Sequence, residues 1–400
     1  MELKKHSSMV VVLAAAAFFM ASLFYPSTSM SADTIKIGVV GPRTGSAAAT
    51  GTAFEEGIAL ALDYINGKGG LLGKKVEVVF EDTGGVPEKG VAAFEKLVNR
   101  DKVPLVVGTS HSSVGIAISE QANRYKAPFI VAESWADEIT AKNYRYIFRA
   151  GPCNSGVVSE IINWVKAEGF KKATVVAENT DWGLGIKKLT VEALEKANIE
   201  FQTIDTERNS KDHYTELSKI KKYDPEVILA FVYGFGVHYL IAQANEIGLT
   251  PKAVIFEGAG PPSLWPQFWE NVGDAGNFEC FISSMHKSAQ PNQVAKDYWD
   301  NYVKKFGKDP SDYKSRSIYR VLLIAFDAIE KANSLDGDKL VDALEKSNVV
   351  VPSGQVKFST EKGSVWYHQF QPPMLIIQWQ DRQQVVIFPE NVATGELIRK

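Results

Sequence analysis

The sequence predicts an α/β fold made of two doubly wound blocks. Apolar strands alternate with amphipathic helices, which implies a parallel sheet with helices on both faces. The rhythm runs once to about residue 150 and begins again near Gly151. Several of the strands are short and wholly apolar, as strands covered on both faces are.

In the first block Ile35, Ile37 and Val39 alternate with small or polar residues, and this strand ends at Gly41. Phe54, Ile58, Ala61, Leu62 and Ile65 recur at helical spacing, and Gly67, Gly69, Gly70 and Gly73 end that helix. Residues 76–80 read as strand, 91–98 as helix, and 104–107 and 129–131 as short buried strands. In the second block helices are expected over 157–166, 186–197, 213–222 and 237–247. The strands between them are expected over 173–177, 201–205, 227–231 and 253–256. Helices return at 293–306 and 317–332. The apolar runs 374–380 and 383–388, parted by Asp381 and Arg382, read as a hairpin.

The N-terminus has its own logic. Lys4, Lys5 and His6 precede an apolar run over 9–24, followed by a short polar stretch and Ala32. The run is short for a spanning helix, which needs about 20 apolar residues, and it fits a secretory leader over 1–32. Export to the periplasm is the expectation. No Cys stands at the cut, so no lipid anchor is implied. Of 400 residues 45% are hydrophobic and 23% charged, and the net charge of −3 argues against a nucleic-acid partner. Cys153 and Cys280 either pair in an oxidising compartment or remain two buried thiols.

Candidate binding residues cluster after strand ends, where doubly wound folds carry their ligand loops. The loop 41–51 lacks the spacing of a nucleotide or phosphate loop, but Arg43 could meet a carboxylate bidentately. Ser110, Ser112 and Ser113 follow the 104–107 strand and open a helix, where hydroxyls and free N–H groups suit an anion. N-capping by Ser112 or Ser113 is the plain alternative. The G-x-S-x-G elbow of a serine nucleophile is missing. The six histidines show no metal-ligand spacing, so no metal, cofactor or catalysis is expected. Ser134 and Trp135, Trp182, Tyr233 and Glu257 each lie just past a strand, which suggests a cleft lining.

Residues 35–41 (Ile-Lys-Ile-Gly-Val-Val-Gly), 63–73 (Asp-Tyr-Ile-Asn-Gly-Lys-Gly-Gly-Leu-Leu-Gly), 106–113, Trp182–Gly185 and Glu257-Gly258 occur in order. In this the chain resembles the periplasmic solute-binding proteins of ABC importers, of the branched-chain amino-acid type. The resemblance implies two lobes joined by three crossovers, with 33–150 plus 286–366 in one and 151–285 plus 367–400 in the other. It implies a monomer that delivers a trapped solute to a permease in the inner membrane. Ser112 would bind an α-carboxylate and Glu257 an α-ammonium, with Trp182 and Tyr233 as walls. Trp135 replaces the family's threonine, and Thr50 its aromatic, which favours an aromatic or other planar carboxylate as the alternative ligand. Such an acid would need Arg43 or a lysine such as Lys314 to offset Glu257. A sensor subunit of the same fold is the competing class.

Overall fold

The computed structural model describes residues 34–258, 260, 262–310 and 312–399. The expected leader lies outside them. The first sheet contains β1 (Ile35–Gly41), β2 (Val76–Asp82), β3 (Val106–Gly108), β4 (Phe129–Val131) and β5 (Ile147–Arg149), all parallel, in the order β2-β1-β3-β4-β5. Helices α1 (Ala48–Gly67), α2 (Pro87–Glu95) and α3 (Ser112–Tyr125) connect its strands. Pro87 fixes the first turn of α2, where no N–H partner is needed, so this helix starts earlier than its apolar spacing shows.

The second sheet repeats the plan. It contains β6 (Lys172–Glu178), β7 (Glu200–Thr206), β8 (Val227–Phe231), β9 (Val254–Glu257) and β10 (Cys280–Ser283), parallel and in the order β7-β6-β8-β9-β10. Helices α4 (Asn154–Ala167), α5 (Asp181–Lys196), α6 (Tyr214–Tyr223) and α7 (Phe235–Glu246) flank it. Helices α8 (Gln293–Phe306), α9 (Tyr313–Ala332) and α10 (Gly337–Glu345) follow. Helix α9 returns to the first sheet and packs along α1. Gly57 makes that approach possible, because a Cβ there would lie 2.1 Å from the Ser315 carbonyl oxygen. A two-stranded ribbon, β11 (Val350–Val351) and β12 (Gly354–Gln355), comes next. The hairpin β13 (Leu375–Gln380) and β14 (Gln383–Phe388) then adds antiparallel to β10.

The chain therefore passes between the two sheets after β5, after β10 and before β13. At the last passage His368 and Phe370 bond to the backbone of Arg149 in β5. Strands β5 and β10 and helix α10 are absent from the expected elements. The two strands have three and four residues, too few for a periodicity to register, and β5 ends in a buried arginine. The Arg149 guanidinium donates to the carbonyls of Ser134 (3.2 Å) and Ala136 (2.7 Å) and to Thr140 Oγ1 (3.0 Å). It anchors the loop after β4 from below.

Both cysteines are buried and unpaired. Cys153 Sγ accepts from the Gly156 N–H at the start of α4, and Cys280 lies inside the second sheet. Burial pushes both thiol pKa values up, so little thiolate is available for reaction. The native protein should therefore resist a thiol reagent, and the unfolded chain should release both of its thiols. Adding a reductant should leave Tm unchanged. Thiol titration with and without denaturant checks this.

Candidate solute-binding site

The carboxyl ends of the two sheets face one another across a cavity of about 50 Å³. Loops after β3 and β4 supply one wall, loops after β6, β7 and β8 the other, and the start of α9 closes the gap. Gly108 directs the β3 loop: its φ is +127°, and a Cβ would lie 2.1 Å from the Val40 carbonyl oxygen.

Ser112 opens α3, but its hydroxyl caps nothing in that helix. Its Oγ accepts the N–H groups of Trp135 and Ala136, each at 3.1 Å. That leaves the hydroxyl proton to donate to a ligand. Ser110 and Ser113 also line the cavity, half-buried. Between them lies His111, whose Nε2 is buried without a partner. Burial, then the charges of Arg208 and Lys314, lower its pKa to about 3, so the ring is neutral at physiological pH.

The aromatic walls meet edge to face. Trp135 and Trp182 come from opposite sheets, with ring centroids 6.4 Å apart at 78°. Tyr233 Oη is 2.8 Å from Thr50 Oγ1, joining the loop after β8 to α1. Glu178, at the end of β6, accepts from the Tyr233 N–H (3.0 Å) and the Thr180 hydroxyl (2.9 Å). Thr180 in turn caps α5 through the Gly183 N–H.

Glu133 lies beneath Trp135 and is fully buried from its surroundings. Oε2 accepts from Trp135 Nε1 (3.0 Å) and Tyr313 Oη (3.2 Å). Oε1 accepts from Arg320 Nη2 (3.3 Å) and the Ser317 hydroxyl. Burial raises its pKa, and Arg320, Ser317, Trp135 and Lys314 oppose that. Lys314 is buried at the cavity, with Nζ donating to the Gly260 carbonyl (2.8 Å) and 3.6 Å from Asp312. Burial lowers its pKa, but Asp312, Tyr233, Glu133 and Glu257 outweigh this and the net shift is upward. Lys314 is a firm cation.

The structure thus brings Ser110, Ser112, Ser113, Trp135, Trp182 and Tyr233 together around one cavity. It does not bring Arg43, Ser134 or Glu257 there. Arg43 is exposed, 2.6 Å from Glu55 and over the Phe80 ring, because α1 offers it a carboxylate first. Ser134 is fully buried and donates to the His111 carbonyl at 3.0 Å, tying the two loops together. Glu257 is fully buried in the second layer, where Oε2 accepts from the Ser263 N–H at 3.2 Å and Oε1 has no partner. His111, Glu133, Glu178, Thr180, Asp181, Arg208 and Tyr313 were not anticipated. Glu178 and Thr180 do follow the strand-end rule, which could have found them. Among the described residues, no cluster of His, Cys, Asp or Glu could hold a metal ion.

A family model described as periplasmic binding protein matches residues 34–384. The chain belongs to that family. A leucine-, isoleucine-, valine-, threonine- and alanine-binding protein of Pseudomonas aeruginosa is 29% identical over 353 residues, covering 86% of this chain and 91% of its own. The substrate binding protein LivJ of Streptococcus pneumoniae, solved with isoleucine, is 24% identical with TM-score 0.79, over 92% of this chain and 100% of its own. A solute binding protein of an ABC transporter from Rhodopseudomonas palustris, solved with 3,4-dihydroxybenzoic acid, is 22% identical with TM-score 0.76, over 92% and 98%. Among the described residues no helix is long and apolar enough to cross a membrane.

Glu257 is sealed beside Glu279, and burial raises its pKa from 4.5 to about 7. A carboxyl raised in the folded state contributes stability that is present at low pH and lost as pH rises through its folded value. Glu257→Gln removes this loss. The variant should gain stability relative to the parent between about pH 5 and about pH 7 and hold a constant advantage above. Urea midpoints across that range decide; a difference independent of pH would contradict the assignment.

Proposed function

We propose that this protein captures a small planar carboxylate in the periplasm and hands it to an inner-membrane ABC permease. It works as a monomer, exported by the leader over 1–32, with lobes of 33–150 plus 286–366 and of 151–285 plus 367–400. The observation that carries the ligand class is the charge pattern of the cavity. Lys314, beside Asp312, and Arg208 are its cations, while of its three lining carboxylates Glu133 already accepts four donors, both oxygens of Glu178 are engaged, and Asp181 is exposed. Glu257, the residue expected to hold an ammonium, lies elsewhere. An acid without an ammonium fits this balance better than a zwitterion.

In this reading the ligand carboxylate takes the Ser112 proton, the N–H groups that open α3, and Lys314. His111 Nε2, being neutral, adds a hydrogen bond without a charge. Trp135, Trp182 and Tyr233 enclose the planar body, where edge and face contacts add to burial. Closure follows because the ligand touches both lobes at once and so binds the closed arrangement more tightly. Thr50–Tyr233 and Lys314–Gly260 are contacts that closure makes across the cleft. The R. palustris protein solved with 3,4-dihydroxybenzoic acid supports the planar acid. The P. aeruginosa relative supports a second reading, an aliphatic amino acid, for which Glu178 or Asp181 would receive the ammonium.

Calorimetry with leucine, isoleucine, benzoate and hydroxybenzoates separates the two. An aromatic acid is expected to bind at least as tightly as leucine, and leucine binding while every aromatic acid fails would reverse the assignment. Lys314→Met should cost about 2–5 kcal/mol of binding, the range for losing one partner of a buried charge pair. Small-angle scattering should show the protein compacting with its best ligand.

A further inference from the structure

A second cavity, of about 280 Å³, lies where two of the segments passing between the two sheets, after β10 and before β13, come together. Its walls include Ser284 after β10, Arg316 in α9, Ser353 between β11 and β12, and Met374 at the entry to β13. It shares no residue with the solute cavity.

Arg316 is 1% exposed. Its Nη2 donates to the Ser284 carbonyl, while Nε and Nη1 have no partner. The buried Ser284 hydroxyl has none either. Among the described residues Arg316 forms no ion pair; one turn further along α9, Arg320 takes the Glu133 carboxylate and the Ser353 hydroxyl. Of these two buried arginines only Arg320 has a carboxylate partner. The other ionisable group facing Arg316 is the phenol of Tyr298, which is bonded to Ser315. Burial and then Arg320 lower the Arg316 pKa to about 9, so the guanidinium remains charged at neutral pH. A buried charge without a counter-charge is costly.

We propose that this cavity binds a small monocarboxylate, held by the Arg316 guanidinium and the Ser284 hydroxyl. A single negative charge balances the one uncompensated arginine. A dianion such as phosphate would bring a second charge that no cation here meets. Pro291, Pro373 and Leu375 give the remaining wall an apolar character that suits a short hydrocarbon tail. The proposal does not depend on which solute fills the other cavity.

Butyrate is the probe. Scanning calorimetry at constant ionic strength compares sodium butyrate, sodium chloride and sodium phosphate. Butyrate should give a saturable rise in Tm, as mass action requires of a ligand that binds the native state. The rise should vanish in Arg316→Met. In Ser284→Ala the fitted Kd should weaken at least about tenfold, the loss expected for one hydrogen bond to a charged group. No rise in the parent protein overturns the proposal. So does an equal rise with chloride or phosphate, or a rise that persists in Arg316→Met, which would place butyrate elsewhere. Should Arg316→Met fail to fold, Ser284→Ala decides, and an unchanged Kd overturns the assignment.

Discussion

The Glu133 carboxylate is the constraint on which the cleft depends. It sits just past β4 and gathers Trp135, Tyr313, Ser317 and Arg320 around its two oxygens. Four donors leave it acceptor-only, so the geometry belongs to the ionised form even though burial opposes ionisation. Three of those donors come from α9, the helix that returns to the first sheet only after the chain has built most of the second. A single buried anion therefore fastens a late element onto an early one. It also sets the tilt of Trp135 and places Lys314, next to Tyr313, at the mouth of the cavity.

The two sheets share one strand order, and this explains why a cavity exists. In such sheets the crevice lies outside the carboxyl ends of the strands. Setting two of them with those ends facing makes a closed space from loops alone, while the strands behind stay rigid. The antiparallel hairpin β13–β14 extends only the second sheet, on the side of β10. It supplies no residue to the lining of the solute cavity.

Much of this was legible in the sequence. Apolar runs bounded by turn residues located most strands: β3, β4 and β8 are buried throughout and hold no polar side chain, and even the partly exposed β2 and β7 keep enough apolar residues to register. Strand ends then located Ser110, Ser112, Ser113, Trp135, Trp182 and Tyr233. Side-chain direction was not legible. Arg43 and Glu257 also stand at strand ends, yet one turns outward to Glu55 and the other inward beneath Ser263. Nor could local pattern show that α9 would deliver Tyr313 and Lys314 from 200 residues beyond β3, since that placement is a matter of tertiary packing against Gly57 and Glu133. Arg149 escaped notice for the same reason: a charge at the end of a three-residue strand reads as a boundary until its acceptors in the loop after β4, and Gln369 beyond them, are seen.

The tryptophan pair has an optical consequence. Trp135 and Trp182 belong to opposite layers and touch edge to face, and only these two of the eight tryptophans line the solute cavity. Trp135 is nearly solvent-free and Trp182 only partly so. Any separation of the layers pulls these indoles apart and wets both, while Trp164, packed between Phe170 and Phe256, stays as it is. The protein thus carries its own emission reporter of cleft width: opening changes the contribution of this pair, while the six other tryptophans supply a background that does not depend on the cleft contact.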